Sequence, residues 1–403
     1  MELFWLEHKK LWRKKIVKIC VLLCFVYCVI FGSILSFQWF SFGSSDDYTS
    51  EFGNNFDGYT VIKDSQVYAL SFGGELTDET LQQIVSDYQQ MEADGMEEEL
   101  EKTDWQIVNS WLGTLYPELR DTGNYKTMIS YVDPDKLTGF YERRQQVLDE
   151  FLEVSGQVGA EKEYLHQIDG KVEKPFHYEW VEGWSTLLGS MVADLGVVMA
   201  LFLGIVLSSL FAGEWHDNTS TLVLTTRNGW GKIALAKILT GLAFTVELFA
   251  LLAVSSVISQ LFFMGTAGWD MPIQNIKLIA VAPMNMLQAE IYEYAFVLLG
   301  AIGFAGIVMF ISAAVKNNVL TLLLSLAVVY GPMMIAEYLP YEMQKALDLI
   351  PLVGSSTDIF RTNTFRIFGK LIWSPYLLIT IPVLIGILCM PFAIKSWSRR
   401  MKA

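Results

Sequence analysis

Six stretches of this chain are continuously apolar: 16–41, 184–212, 233–264, 291–315, 319–336 and 375–394. A helix needs about 20 such residues to cross a hydrocarbon core of about 30 Å, so each stretch predicts a transmembrane helix. The first is too long, and its end (SFQWFSF) too bulky, for a cleaved leader. Before it, residues 1–15 interleave Leu3, Phe4, Trp5, Leu11 and Trp12 with Lys9, Lys10, Arg13, Lys14 and Lys15, the pattern of an amphipathic helix at a lipid surface.

The polar positions predict the rest. Over 42–183 the periodicity becomes that of a soluble domain. GYTVIKDSQVYALSF reads as two strands about a Lys63-Asp64-Ser65 turn, with Val61, Val67 and Ala69 inward. Leu81, Ile84, Val85, Tyr88 and Met91 share one helical face. Asp133-Pro134 reads as a cap and first-turn proline of a helix continuing through Tyr141, Leu148, Phe151 and Leu152. Asp169-Gly170 marks a turn before the aromatic run PFHYEWVEGW, which suits the headgroup level. Residues 266–290 read as a loop, and 337–374 as an outer loop with short amphipathic helices placed by Leu339, Ile350, Leu352, Phe360 and Phe368. The expected fold is an all-α polytopic membrane protein with six transmembrane helices and an extracellular α+β domain inserted between helices 1 and 2.

Composition agrees with this division. The 403 residues are 52% hydrophobic and only 18% charged, too few charges for a soluble protein of this size. The net charge of -14 is concentrated between Asp46 and Glu182, with 30 acidic against 10 basic residues, so the remainder is net basic. An acidic domain repels phosphate, so no nucleic-acid partner is expected. Basic residues at the N-terminus, Arg227, Lys232, Lys316 and the tail 395–403 place both termini and the short segment 213–232 in the cytoplasm; Lys345, Arg361, Arg366 and Lys370 run against that assignment. Cys20, Cys24 and Cys28 recur every four residues and read as a packing face.

Two places invite a functional reading. Segment 213–232 is polar and cap-rich between two long apolar runs, and it holds Glu214, Asn218, Thr219, Leu222, Leu224 and Arg227. Alone it reads either as a solvated turn or as a short helix with a leucine face for a partner's groove. Glu247 lies near the middle of the third apolar stretch, where a carboxylate must be paired or protonated. It reads either as a polar contact on a substrate path or as a side chain bonded to a neighbouring helix through Ser208 or Ser209. His166, His177 and Glu179 lack a metal-binding order, no nucleophile cluster is evident, and the chain has no GxxxxGK[ST] phosphate loop.

Segment 213–237 resembles the loop between the second and third helices of ABC-2-type permeases, the membrane subunits of ATP-binding-cassette exporters. Glu214 stands at the family glutamate, Asn218-Thr219 at its Gly-Thr, Leu222-Val223-Leu224 at its leucine run and Lys237 at its lysine, while Arg227 and Gly229-Trp230 replace Pro and Ser-Arg. The resemblance implies that this segment docks on a separate ATPase subunit, that ATP reaches the system only through that partner, and that a second permease completes the dimer. It further implies an amphiphilic substrate and no enzymatic activity or bound cofactor in this chain. The rival expectation is a membrane-anchored sensor whose extracellular domain binds a ligand and signals without transport.

Overall fold

A computed structural model describes residues 2–30, 66, 73–96, 105–121, 126–216, 231–353 and 358–399. The chain opens with α1 (Glu2–Arg13) and α2 (Lys15–Val29), separated by extended backbone at Lys14. Both pack on the third long helix, and Cys20, Cys24 and Cys28 are buried there. Residues 31–41 of the first apolar stretch, and the expected strands but for Gln66, lie outside the described residues.

The polar domain is built from β1 (Gly74–Glu75), α3 (Asp78–Ala93), α4 (Trp105–Leu115), α5 (Phe140–Val154), α6 (Ala160–Asp169) and β2 (His177–Tyr178). Its described part is helical except for the two-residue antiparallel ladder β1–β2. Leu81, Ile84 and Val85 of α3 are buried as their spacing predicts, against Trp111 and Leu112 of α4. The helix expected from Pro134 does not start there. Pro134–Lys136 is a single 3-10 turn, and α5 begins only at Phe140. The Asp78 carboxylate accepts from the Gly139 and Phe140 amides at 2.7 and 2.9 Å, capping α5 from another helix. Gly139 sits at φ 72°, a left-handed turn that separates the two pieces.

After α7 (Glu182–Thr186) and a π-helical turn over Leu187–Met191, α8 (Val192–His216) runs one turn past its apolar stretch. Then come α9 (Lys232–Met264), α10 (Met286–Ala314) and α11 (Asn318–Ile335). The segment 337–374 holds α12 (Tyr341–Leu347) and a hairpin, β3 (Thr364–Ile367) with β4 (Lys370–Trp373), where amphipathic helices were expected. Phe368 and Gly369 both take positive φ at its turn, the geometry a two-residue hairpin needs. Finally, α13 (Ser374–Arg399) closes the chain.

Among the described residues five helices are long and apolar enough to cross a membrane: those containing 194–216, 232–264, 286–314, 318–338 and 374–398. The protein is mostly helical and has the character of a polytopic membrane protein. Helix α10 is central, packing on α13, α8, α9 and α11. It starts five residues before its apolar stretch because Asn285 and Gln288 form a reciprocal capping box at 2.8 and 3.2 Å. Glu290, expected in a loop, is therefore helical.

Contacts sort the bundle into two ends. At one, Trp397 of α13 packs on Phe211 and Trp215 of α8, and α1 meets the C-terminus of α8 and the N-terminus of α9. At the other sits the polar domain. Trp180 donates to the Met264 carbonyl at 3.1 Å, and Arg144 reaches the loop before α10.

Candidate functional site

The site builds up from helix dipoles. Glu214 lies in the last turn of α8, where the macrodipole disfavours an anion, and Lys237 lies in the second turn of α9, where it disfavours a cation. Each is misplaced on its own helix and compensates the other. The Lys237 ammonium donates to Glu214 Oε1 at 2.8 Å, with the two side chains 2% and 4% exposed. Burial makes this pairing obligatory, because an isolated buried charge is far too costly.

Helix α1 completes the cluster. Positions 7, 10, 11 and 14 share one face of the helical turn. Lys10 donates to Glu214 Oε1 at 2.6 Å, and Lys237 also donates to Glu7 Oε2 at 2.9 Å. Lys14, at the junction with α2, donates to Ser209 Oγ at 2.9 Å, and Leu11 is buried between. These residues enclose a cavity of about 30 Å³, room for about one water. The arrangement is mechanical rather than catalytic: a charge-locked joint of three helices at the root of segment 217–230. Asn218, Thr219, Leu222, Leu224 and Arg227 lie outside the described residues; of the expected set only Glu214 and Glu247 can be placed.

Glu247 differs from its expected surroundings. Neither Ser208 nor Ser209 holds it. Its carboxylate accepts from Trp12 Nε1 at 3.0 Å and lies 3.2 Å from His8 Nε2, while 43% of the side chain stays exposed. The reason is that α1 packs along α9, as the edge-on contact of Trp12 with Phe244 also shows. Ser208 instead presents its carbonyl to the Ser312 hydroxyl at 2.7 Å. Because an amide oxygen can still accept from Trp12, Glu247→Gln should retain wild-type membrane expression. Loss of expression, measured by quantitative immunoblot of the membrane fraction, would mean that the charge itself holds α1 in place.

Sequence reasoning missed three buried ionisable groups at the domain end. Glu290 and Glu293, one turn apart on α10, are 4% and 0% exposed. Glu293 Oε1 accepts from the Ile359 amide at 3.1 Å. The signal that would have found them is Asn285-x-x-Gln288, which moves the helix start upstream of both. The third is Arg144, fully buried and bidentate on Asp169 at 2.6 and 3.1 Å, with further bonds to the Leu278 and Ala280 carbonyls at 2.8 and 3.1 Å. Nearby Lys277 has an exposed side chain, yet desolvation lowers its ammonium below the ordinary range. His166 faces Asp149 at 2.8 Å and Gln145 at 3.0 Å. No family model matches the chain, and comparison with curated proteins and with solved structures found no match.

Proposed function

We propose that this chain is the membrane subunit of an ABC-2-type exporter, driven by a separate ATPase that contacts segment 217–230. The observation that supports this reading is the buried Glu214–Lys237 pair, which stands at both roots of that segment and ties in Glu7 and Lys10 of α1. A partner that displaces the segment pushes on α8 and α9 together, and through the shared carboxylate on α1. Closely packed joints of this kind convert a local push into a rigid shift of helices. ATP enters only through the partner, and a second permease, identical or related, forms the other half of the path. In this reading the termini and segment 217–230 face the cytoplasm and the polar domain faces outward. Its acidic balance favours a cationic amphiphile among the possible substrates.

The test is co-expression of the full chain with an ATPase encoded beside it. Expected is a stable complex whose ATP turnover falls by on the order of ten-fold in Glu214→Gln and in Leu222→Asp, the scale of ordinary coupling energies. A chain that captures no ATPase, or variants that turn over like wild type, would overturn the reading.

One observation favours the sensor reading in that case. Arg144 fastens the polar domain to the carbonyls of Leu278 and Ala280, in the loop that leads into α10. A ligand that rearranged the domain would act on the central helix directly. A ligand-dependent change in α10 accessibility without any ATPase would support that alternative.

A further inference from the structure

Glu290 is the one carboxyl among the described residues that is almost fully buried with both oxygens sealed and without a hydrogen-bond partner of good geometry. The nearest candidate, Tyr294 one turn on, has its hydroxyl paired with Ser256 Oγ of α9 at 2.7 Å. On α10 pack α7, the π-helical turn and the 358–360 turn, and their Trp184, Leu187, Leu188 and Ile359 are apolar and buried in one cluster with Ala289. No lysine or arginine among the described residues pairs with it. An ionised carboxylate in such a place would bear the full cost of desolvation with nothing to offset it.

We propose that Glu290 is a proton-binding site inside the bundle, with the Tyr294 and Ser256 hydroxyls, themselves paired at 2.7 Å, beside it at the α9 contact. The step is a simple ionisation: the carboxylic acid gives carboxylate, and its proton passes to water. The ionisable groups near the site are Glu293 and Tyr294 from its own helix and Cys28 from α2. Helix α9 contributes the neutral Ser256 there, since its Lys237 and Glu247 lie toward the opposite end. The sealed position of Glu290 on the central helix, at the α9 contact, makes ionisation and loosening of that contact one event. This inference is independent of ATPase coupling and is read on the chain alone.

The test uses the full chain in liposomes and a hydrophobic carbodiimide, to which protonated carboxyls in apolar surroundings add to give a stable N-acylurea, with the adduct mapped by mass spectrometry. Expected is an adduct on Glu290 whose rate falls about ten-fold per pH unit above the midpoint, and a shifted midpoint in Ser256→Ala and Tyr294→Phe. Exposed Glu247 serves as the internal comparison. An unlabelled Glu290 at every pH, or labelling that tracks Glu247, would overturn the proposal. Glu290→Gln, the neutral isostere, should fold and elute as wild type; its unfolding would mean that the structure needs the charged form, which also overturns it.

Discussion

Gly303→Val is expected to leave almost no monodisperse protein. A Cβ added at Gly303 would lie 2.2 Å from the Pro382 carbonyl oxygen, and one at Gly306 2.3 Å from that of Gly386. Seen from α13, a Cβ at Gly386 meets the Gly303 Cα at 2.4 Å. These obstacles are backbone atoms, so no side-chain rotation relieves them; the two helices must move apart along their whole contact. That contact is the most extensive in the bundle, and small residues that let backbones touch are a principal source of helix association in lipid. Overpacking in a tight core costs about 1–3 kcal/mol even where neighbours can yield, and here they cannot. Size-exclusion profiles and thermal unfolding in detergent would measure the effect. Gly331→Ala, with nothing within 4 Å of the added Cβ, is the control and should behave as wild type. A Gly303→Val protein that melts with the wild type would show that α10 and α13 do not cross at this point.

Arg144→Met is expected to lower the stability of the polar domain by about 3–5 kcal/mol, the scale for removing one partner of a buried ion pair. It strands Asp169, 3% exposed, with only Lys174 at 4.0 Å, and it leaves the Leu278 carbonyl without its donor. The Ala280 carbonyl keeps a bond from Gln274 Nε2 at 2.8 Å. Arg144→Met with Asp169→Leu should therefore recover much of the loss, because removing both charges leaves no buried ion. Arg144→Lys should recover little: an ammonium cannot reproduce the fork that meets one carboxylate and two carbonyls, and a buried charge left incompletely paired is costly. Unfolding followed by tryptophan fluorescence reports the domain through Trp111 and Trp180, both buried. Equal stability of the Arg144→Met single variant and the double variant would refute the account.

How much of this was legible follows from the range of the forces involved. The long helices could be read from hydropathy alone, since a continuous run of 20 or more apolar residues has few other stable states. Boundaries set by local capping were legible in principle: Asn285 and Gln288 are neighbours in sequence, and missing them misplaced Glu290. The start of α5 was not, because its cap is Asp78 of α3, 61 and 62 positions from the amides it binds. Glu247 stands out as a carboxylate in an apolar run, but its partners His8 and Trp12 are more than 230 residues away. Likewise Glu214 and Lys237 were both noticed, yet only the packed structure shows them as one ion pair with Glu7 and Lys10.

The amino-acid sequence by itself determined the class of this protein, the number and order of its apolar runs and the acidity of the domain between the first two. Those are properties of single segments, and the solvent each segment prefers depends on its own composition. Tertiary structure alone decided which charges meet. It folded α1 onto α9, joined two helix ends through Glu214 and Lys237, locked the polar domain with Arg144 and buried Glu290 with no cationic partner among the described residues. A charge in a low-dielectric interior takes its state from the nearest partner rather than from its neighbours in the chain.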